Sequence, residues 1–477
     1  MTSGGDTLNI RLVDLIIDCL PATHGGTGRT RGMIRNPFIK RAIGALTLLY
    51  SGTFLAALFN FIAQLTLARS LDLEALGTIA ALSSIINLLA SIGMGGMNWF
   101  LLQVVGRERE KAFRWYFPAA QLVALLTGLG IVGLVAYGLT VAKFPPSERL
   151  LLLAASVPIL LGQLAVELSS IRYQLERRAG QVAFWQVVTQ LGRAVVALCL
   201  KAFAISSLRA ALVGFGLMGA IAVISSLLAV PVRSWDRLLQ SYRHPHPTVL
   251  ETARSAGPFL LFGAIYLIFF QGPIVILEYV RGGTETAQYN IAFLIVSATM
   301  MFPSVFYSKF VAERVFHWGH HDRTKFAAAF YLSAALMATI GILAMAILVA
   351  TAHGLIPWMF GSRYAPSVKL LLVMSITIPV RFLQSAYSSL LVTGPQTIPR
   401  VIYLALAALT SIVASCIFVP ALGALGAAYA SVMAELVLFL LSWRGLSIYV
   451  PEIKPFGWLS PQTIRRSMSV LGDKAGH

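Results

Sequence analysis

AIGALTLLYSGTFLAALFNFIAQLTLA, residues 42–68, runs for 27 residues without one Asp, Glu, Lys or Arg, and WYFPAAQLVALLTGLGIVGLVAYGLTVA, residues 115–142, does so for 28. About 20 apolar residues at 1.5 Å rise cross the roughly 30 Å hydrocarbon layer of a bilayer. Uncharged runs recur along most of the chain, with spans expected near 43–68, 76–103, 117–140, 150–171, 180–203 and 209–232. A second set follows near 256–280, 286–311, 326–350, 367–393, 398–420 and 423–444. The pattern predicts an all-α polytopic membrane protein of about twelve transmembrane helices, in two six-helix bundles around a central cavity. The expected division is a tail (1–40), a first bundle (41–232), a linker (233–254), a second bundle (255–446) and a second tail (447–477).

Composition agrees: 57% of residues are hydrophobic and 12% charged, where soluble domains carry about a quarter charged residues. The three cysteines, Cys19, Cys199 and Cys416, are too few and scattered for a disulfide framework or metal site, and read as small buried apolar side chains. The formal net charge of +18 raises nucleic acid as a partner. The bases lie beside the spans rather than on one globular face, where Lys and Arg set topology, so no nucleic acid is expected. The first 40 residues show no cleavable signal; Leu8, Leu12, Leu15, Ile16 and Leu20 fit one face of a surface helix, and a disordered tail fits equally.

Lys and Arg divide unevenly between alternate loops: 27 fall on the side of both termini and eight on the other (Arg69, Lys143, Arg149, Lys201, Arg209, Arg281, Arg363, Lys369). The positive-inside rule then makes both termini cytoplasmic, as an even number of spans requires. Two arginines remain inside spans, Arg193 and Arg381.

A charged side chain at the bilayer centre costs at least about 2.5–3.5 kcal/mol, so such groups face a cavity or a partner. Arg193, Arg381 and Glu435 lie 12 to 14 residues into their spans, near the midplane. Polar residues share faces at helical spacing: Thr53, Asn60 and Gln64; Gln163, Glu167 and Ser170; Gln186, Gln190 and Arg193; Arg381, Gln384, Ser385 and Ser388; Ser431 and Glu435. Stripes from both halves suggest one hydrated, partly cationic chamber. The plainer reading makes the amides and hydroxyls interhelical hydrogen-bond partners, and the arginines ion-pair partners of Glu435 or Glu167.

The loop His317-Trp318-Gly319-His320-His321-Asp322 gathers imidazoles and a carboxylate, but its plain reading is a polar cytoplasmic turn, and no metal is assigned. There is no Gly-x-x-x-x-Gly-Lys-Ser/Thr loop. No nucleophile–base pair stands out, and no extramembrane segment is large enough for an ordinary catalytic site. No enzyme activity and no cofactor are expected.

Several stretches resemble one family. Phe59–Gly93 holds a span ending in Leu67-Ala68-Arg69, an acidic loop with Gly77 and a second span. Ala287-Gln288-Tyr289-Asn290-Ile291-Ala292 with Phe302-Pro303, Phe360-Gly361-Ser362-Arg363-Tyr364, Leu391-Val392-Thr393-Gly394 and Pro420–Ala428 follow in order. In this the chain is similar to the Wzx-type flippases of lipid-linked oligosaccharides, within the multidrug/oligosaccharidyl-lipid/polysaccharide exporter superfamily. One departure is Gln271-Gly272-Pro273, where many members carry an acid. Twelve spans fit the oligosaccharide branch better than the fourteen common in peptidoglycan-precursor flippases.

The resemblance implies a bacterial inner-membrane protein that moves polyprenyl-pyrophosphate-linked oligosaccharide units for O-antigen or exopolysaccharide synthesis. It implies membrane lipids, a polysaccharide polymerase and chain-length regulators as partners. On that reading Arg193 and Arg381, with Gln186, Gln190, Gln384, Asn60 and Gln64, hold substrate, and Glu435 and Glu167 couple an ion. The rivals are a multidrug exporter of the same superfamily, a membrane glycan polymerase or ligase, and a passive channel. The midplane arginines disfavour cationic drugs, and the short loops disfavour an enzyme.

Overall fold

The structure, a computed structural model, describes residues 37–140, 146–176, 178–229, 241–242, 245–306, 323–390, 397–449 and 453–472. Among these the regular structure is helical and there is no strand. The first half runs α1 (Pro37–Ser70), α2 (Leu73–Gly93), α3 (Met97–Glu108), α4 (Tyr116–Thr140), α5 (Pro146–Leu175), α6 (Ala179–Ala202) and α7 (Leu208–Leu228). The second runs α8 (Val249–Arg281), α9 (Gly283–Thr299), α10 (Met301–Phe306), α11 (Arg323–Phe360), α12 (Ser367–Ser375), α13 (Thr377–Leu390), α14 (Thr397–Leu422), α15 (Ala424–Tyr449) and α16 (Pro461–Gly472). The metal-turn candidate at 317–322, the Leu391–Gly394 motif and the 8–20 stretch lie outside the described residues.

Eleven of these stretches are long and apolar enough to cross a membrane. The eighth expected span is described only as the 17-residue α9 and the six-residue α10, each too short by itself. Large apolar side chains such as Leu129, Val132, Leu217, Ile221, Ile342 and Ile417 are more than half exposed on the outside of the bundle, as lipid-facing residues are. Cys199 and Cys416 are exposed too, contrary to the buried role expected of them. In lipid an apolar thiol needs no burial in protein to leave water.

Local chemistry sets the helix limits. Asp72 caps α2 by accepting from the Ala75 amide at 3.1 Å. Thr248 and Glu251 form a capping box, which starts α8 seven residues before the expected span at 256. The second expected span breaks at Gly95 and Gly96, whose φ of +57° and +70° suits residues without a Cβ. Pro273 lies inside α8 without an N–H, and the Phe269 carbonyl four residues earlier takes a bond from the Ser411 hydroxyl at 3.2 Å instead.

The two halves meet along α2, which packs against α8 and α9. At the end of the bundle where α1 finishes, here the Ser70 end, Gly77 lies so close to Gly283 that an added Cβ would stand 1.8 Å from the Gly283 carbonyl oxygen. Arg69 there donates from Nε to Met359 O (2.6 Å) and from Nη2 to Trp358 O (2.7 Å). Arg363 and the Tyr364 hydroxyl (3.0 Å) both donate to Ala68 O. Within the second half, Arg281 donates to the Val419 and Pro420 carbonyls, and Glu285 accepts from the Ala424 amide at the start of α15. One hydrophobic core joins both halves at this end, including Leu67, Leu71 and Leu76 with Leu277, Tyr289 and Tyr364.

Candidate functional site: a polar cavity between the halves

A cavity of about 780 Å³ lies between the halves, below the Ser70 end. On α1, Asn60 and Gln64 stand one turn apart, with Thr53 two turns before Asn60, so one face supplies all three. The same periodicity puts Gln163, Glu167, Ser170 and Gln174 of α5 and Gln186, Thr189, Gln190 and Arg193 of α6 on the wall. The second half closes the cavity with Gln271 of α8 and with Asn290 and Ser297 of α9.

The walls are only partly self-satisfied. Gln163 Nε2 donates to Asn87 Oδ1 at 3.0 Å, and the Thr53 hydroxyl donates to Gln186 Oε1 at 3.3 Å. The side-chain oxygens of Asn98, Gln163, Gln190 and Gln271, all on the lining, have no hydrogen-bond partner among the described residues. Arg193 makes no ion pair or hydrogen bond among the described residues, and Glu167 lies on the same wall without closing a salt bridge to it. The cavity therefore offers a cation, a carboxylate and spare amide groups inside an apolar bundle. Such a set replaces water around a charged or hydroxyl-rich solute.

The second-half stripe goes elsewhere. Arg381 of α13 and Glu435 of α15 are the only fully buried charged side chains among the described residues, at 8% and 2% exposure. Arg381 Nε donates to Glu435 Oε1 at 2.5 Å, and the guanidinium stacks over the Phe270 ring, 4.7 Å from its centroid. Gln384 Nε2 donates to Ser442 Oγ at 2.8 Å, again joining α13 to α15. None of Arg381, Gln384 and Glu435 lines the cavity. This corrects the expectation of one chamber shared by both arginines: Arg193, Gln186, Gln190, Asn60, Gln64 and Glu167 come together, while Arg381, Gln384 and Glu435 hold two helices of one half. The physical reason is that Arg381 and Glu435 occur at the same depth on neighbouring helices, where neutralising each other costs less than facing a cavity apart.

The sequence reading missed the lining residues Ser83, Asn87, Asn98, Gln174, Gln271 and Asn290. Ser83 and Asn87 carried a signal, four residues apart in an otherwise apolar run. Gln271 stood out only for not being an acid.

No protein-family model matches the chain, and no curated protein matches it. Solved structures do. The chain is similar to "Lipid II flippase MurJ, inward closed conformation" with a TM-score of 0.67 at 14% identity, covering 90% of this chain and 94% of that one. It is similar to an "Inward-facing conformation of a multidrug resistance MATE family transporter of the MOP superfamily" at 0.61 and 13% identity, covering 84% and 98%. A third likeness, to a MOP superfamily transporter from Pyrococcus furiosus, has a TM-score of 0.54 at 14% identity, covering 84% and 95%. Fold and cavity define an all-α, multi-pass membrane protein with two halves enclosing a polar site. Its fold, more narrowly, is similar to the one seen in these solved transporter structures.

Proposed function

We propose that the chain is a flippase that carries polyprenyl-pyrophosphate-linked oligosaccharide units across the bacterial inner membrane by alternating access, its termini cytoplasmic. The observation that carries this reading is Arg193, a guanidinium that closes no ion pair among the described residues, on the wall of an amide-rich cavity between two halves. A pyrophosphate is a dianion or more, and guanidinium is a fork-shaped donor suited to it. Sugar hydroxyls are donors for the orphaned oxygens of Asn98, Gln163, Gln190 and Gln271. The polyprenyl tail stays in lipid while the head crosses a site that stands in for its hydration shell. Glu167 is the candidate for ion coupling, because Glu435 is already occupied by Arg381. With the basic side inward, the Ser70 end is extracytoplasmic and its interlocked residues close the cavity to the outside.

Deleting the gene should make lipid-linked repeat units accumulate on the inner leaflet, and Arg193→Gln should reproduce that at normal protein level. Undiminished export in the variant sinks the assignment. Glu167 on the same wall favours a second reading, a multidrug exporter taking amphipathic cations. A panel of cationic drugs on the deletion strain separates the two: hypersensitivity without glycan accumulation selects the second.

A further inference from the structure

A larger cavity, about 1080 Å³, lies behind α5 in the first half, at the end opposite Ser70. It plays no part in the reading above. Helix α5 separates the two: Gln163, Glu167, Ser170 and Gln174 face the central site, and Leu168, Ile171, Arg172 and Glu176 line the groove.

The groove is ordered by polarity along the helix axes. Its polar groups, Arg172, Tyr173, Glu176 and Arg178, gather where α5 ends at Leu175. Toward the membrane interior its walls are Leu101, Val123, Leu168 and Ile171. From Glu176 back to Leu168 is eight residues, roughly 12 Å of helix. The side is open toward lipid, with Leu228 at its edge 82% exposed.

The charges do not cancel. Glu176 is braced by both arginines, Arg172 Nε at 3.2 Å and Arg178 Nε at 3.3 Å. Arg172 also donates to Ala229 O at 2.9 Å, closing the end of α7, while the Arg178 side chain stays 57% exposed. One positive charge is left over at the level of the lipid headgroups, above an apolar trough. We infer that this groove binds an anionic glycerophospholipid of the surrounding leaflet, its phosphodiester at Arg178 and Arg172 and an acyl chain along Leu168 and Ile171. A lipid seated there braces the face of α5 opposite the one that carries Glu167. The inference rests on the membrane setting and not on what the central site carries.

Native mass spectrometry of the full-length chain released from detergent, with added phosphatidylglycerol or phosphatidylcholine, tests it. One interfacial arginine is worth about a fivefold change in anionic-lipid retention. Phosphatidylglycerol should be retained over phosphatidylcholine, and Arg178→Gln should lower its retention by about fivefold. Glu176→Gln, which frees a second positive charge, should raise it. Neither variant touches the Arg172 bond to Ala229 O, so both are expected to fold. Equal retention of the two lipids, or a preference unmoved by both substitutions, overturns the inference.

Discussion

Arg69 and Arg363 cap each other's helices across the two halves. Arg69, near the end of α1, donates to the carbonyls of Trp358 and Met359 in the last turn of α11, and Arg363, just past α11, donates to Ala68 O in the last turn of α1. The last four carbonyls of a helix lack intrahelical partners, and the negative end of its dipole favours a cation. Each half thus supplies what the other's helix end lacks, and separating the halves strips the donor from three carbonyls at once, those of Ala68, Trp358 and Met359. Replacing both arginines by Gln should raise labelling of a Ser83→Cys cavity probe by a membrane-impermeant maleimide from outside by about tenfold, in a background without native cysteines. Unchanged labelling would show that this contact does not hold the end shut.

The Tyr364 hydroxyl shares that acceptor, and its titration sets the pH range of the contact. Burial pushes it up to about 12, against the opposing pull of the Arg363 guanidinium. The folded value lies above the ordinary tyrosine value of about 10, so its contribution is fully present below about pH 10 and lost as pH rises toward 12. Tyr364→Phe should therefore loosen the contact by the same factor at pH 6 and pH 9. A factor that changes between those values points to a different titrating group.

Gly77 tests the close approach of α2 to α9. Its missing Cβ would stand 1.8 Å from Gly283 O, whereas the Cβ of an alanine at Gly128 meets nothing within 4 Å. Overpacking of this kind costs about 1–3 kcal/mol, while Gly to Ala in an open helix interior gains up to about 1 kcal/mol. Gly77→Ala should lower the melting temperature in detergent and Gly128→Ala should hold or raise it. Equal effects would mean that backbone entropy, not the crossing, decides.

The Arg381–Glu435 pair is a stability element on this structure. Removing one partner of a buried pair typically costs about 3–5 kcal/mol, and replacing both by apolar residues is often neutral or better. Glu435→Gln should be strongly destabilised by thermal scan. Arg381→Met with Glu435→Leu should recover most of the loss, because Phe270 and its neighbours already give the site an apolar side. A double variant as weak as the single would mean that the pair answers to something beyond itself.

Much of this was legible in the chain. Uncharged runs of 27 and 28 residues leave no soluble alternative, and stripes such as Gln186, Gln190 and Arg193 follow from helical spacing alone. Pairing was not legible. Arg193 and Arg381 have the same residue type and the same depth, and only the neighbour across the helix boundary separates them: α15 brings Glu435 to Arg381, while nothing brings Glu167 to Arg193. The motifs behind the resemblance also have a structural use that their order along the chain does not show. Leu67-Ala68-Arg69 meets Phe360–Tyr364, and the Pro420–Ala428 stretch meets Arg281 and Glu285. These are contacts between distant helix ends that short-range patterns cannot report. The break in the second span was written in Gly95-Gly96, but only the packed Phe259–Leu260 backbone beside Gly96 shows why it is needed.

Arg193 should behave as the opposite of Arg381 on every axis. It has no ion-pair partner to strand among the described residues, so Arg193→Gln removes an unpaired charge from an apolar bundle and should leave the melting temperature unchanged or higher. On the proposed flippase reading transport should fall at least about tenfold, because the lost interaction would be with a charged solute rather than with the protein. Arg193→Lys keeps the charge but loses the fork, and should land between the two if the solute carries a phosphate. Melting curves and export assays on the same three proteins decide it. A variant that loses stability in proportion to transport would make Arg193 one more structural cation and would remove it from the proposed anion site.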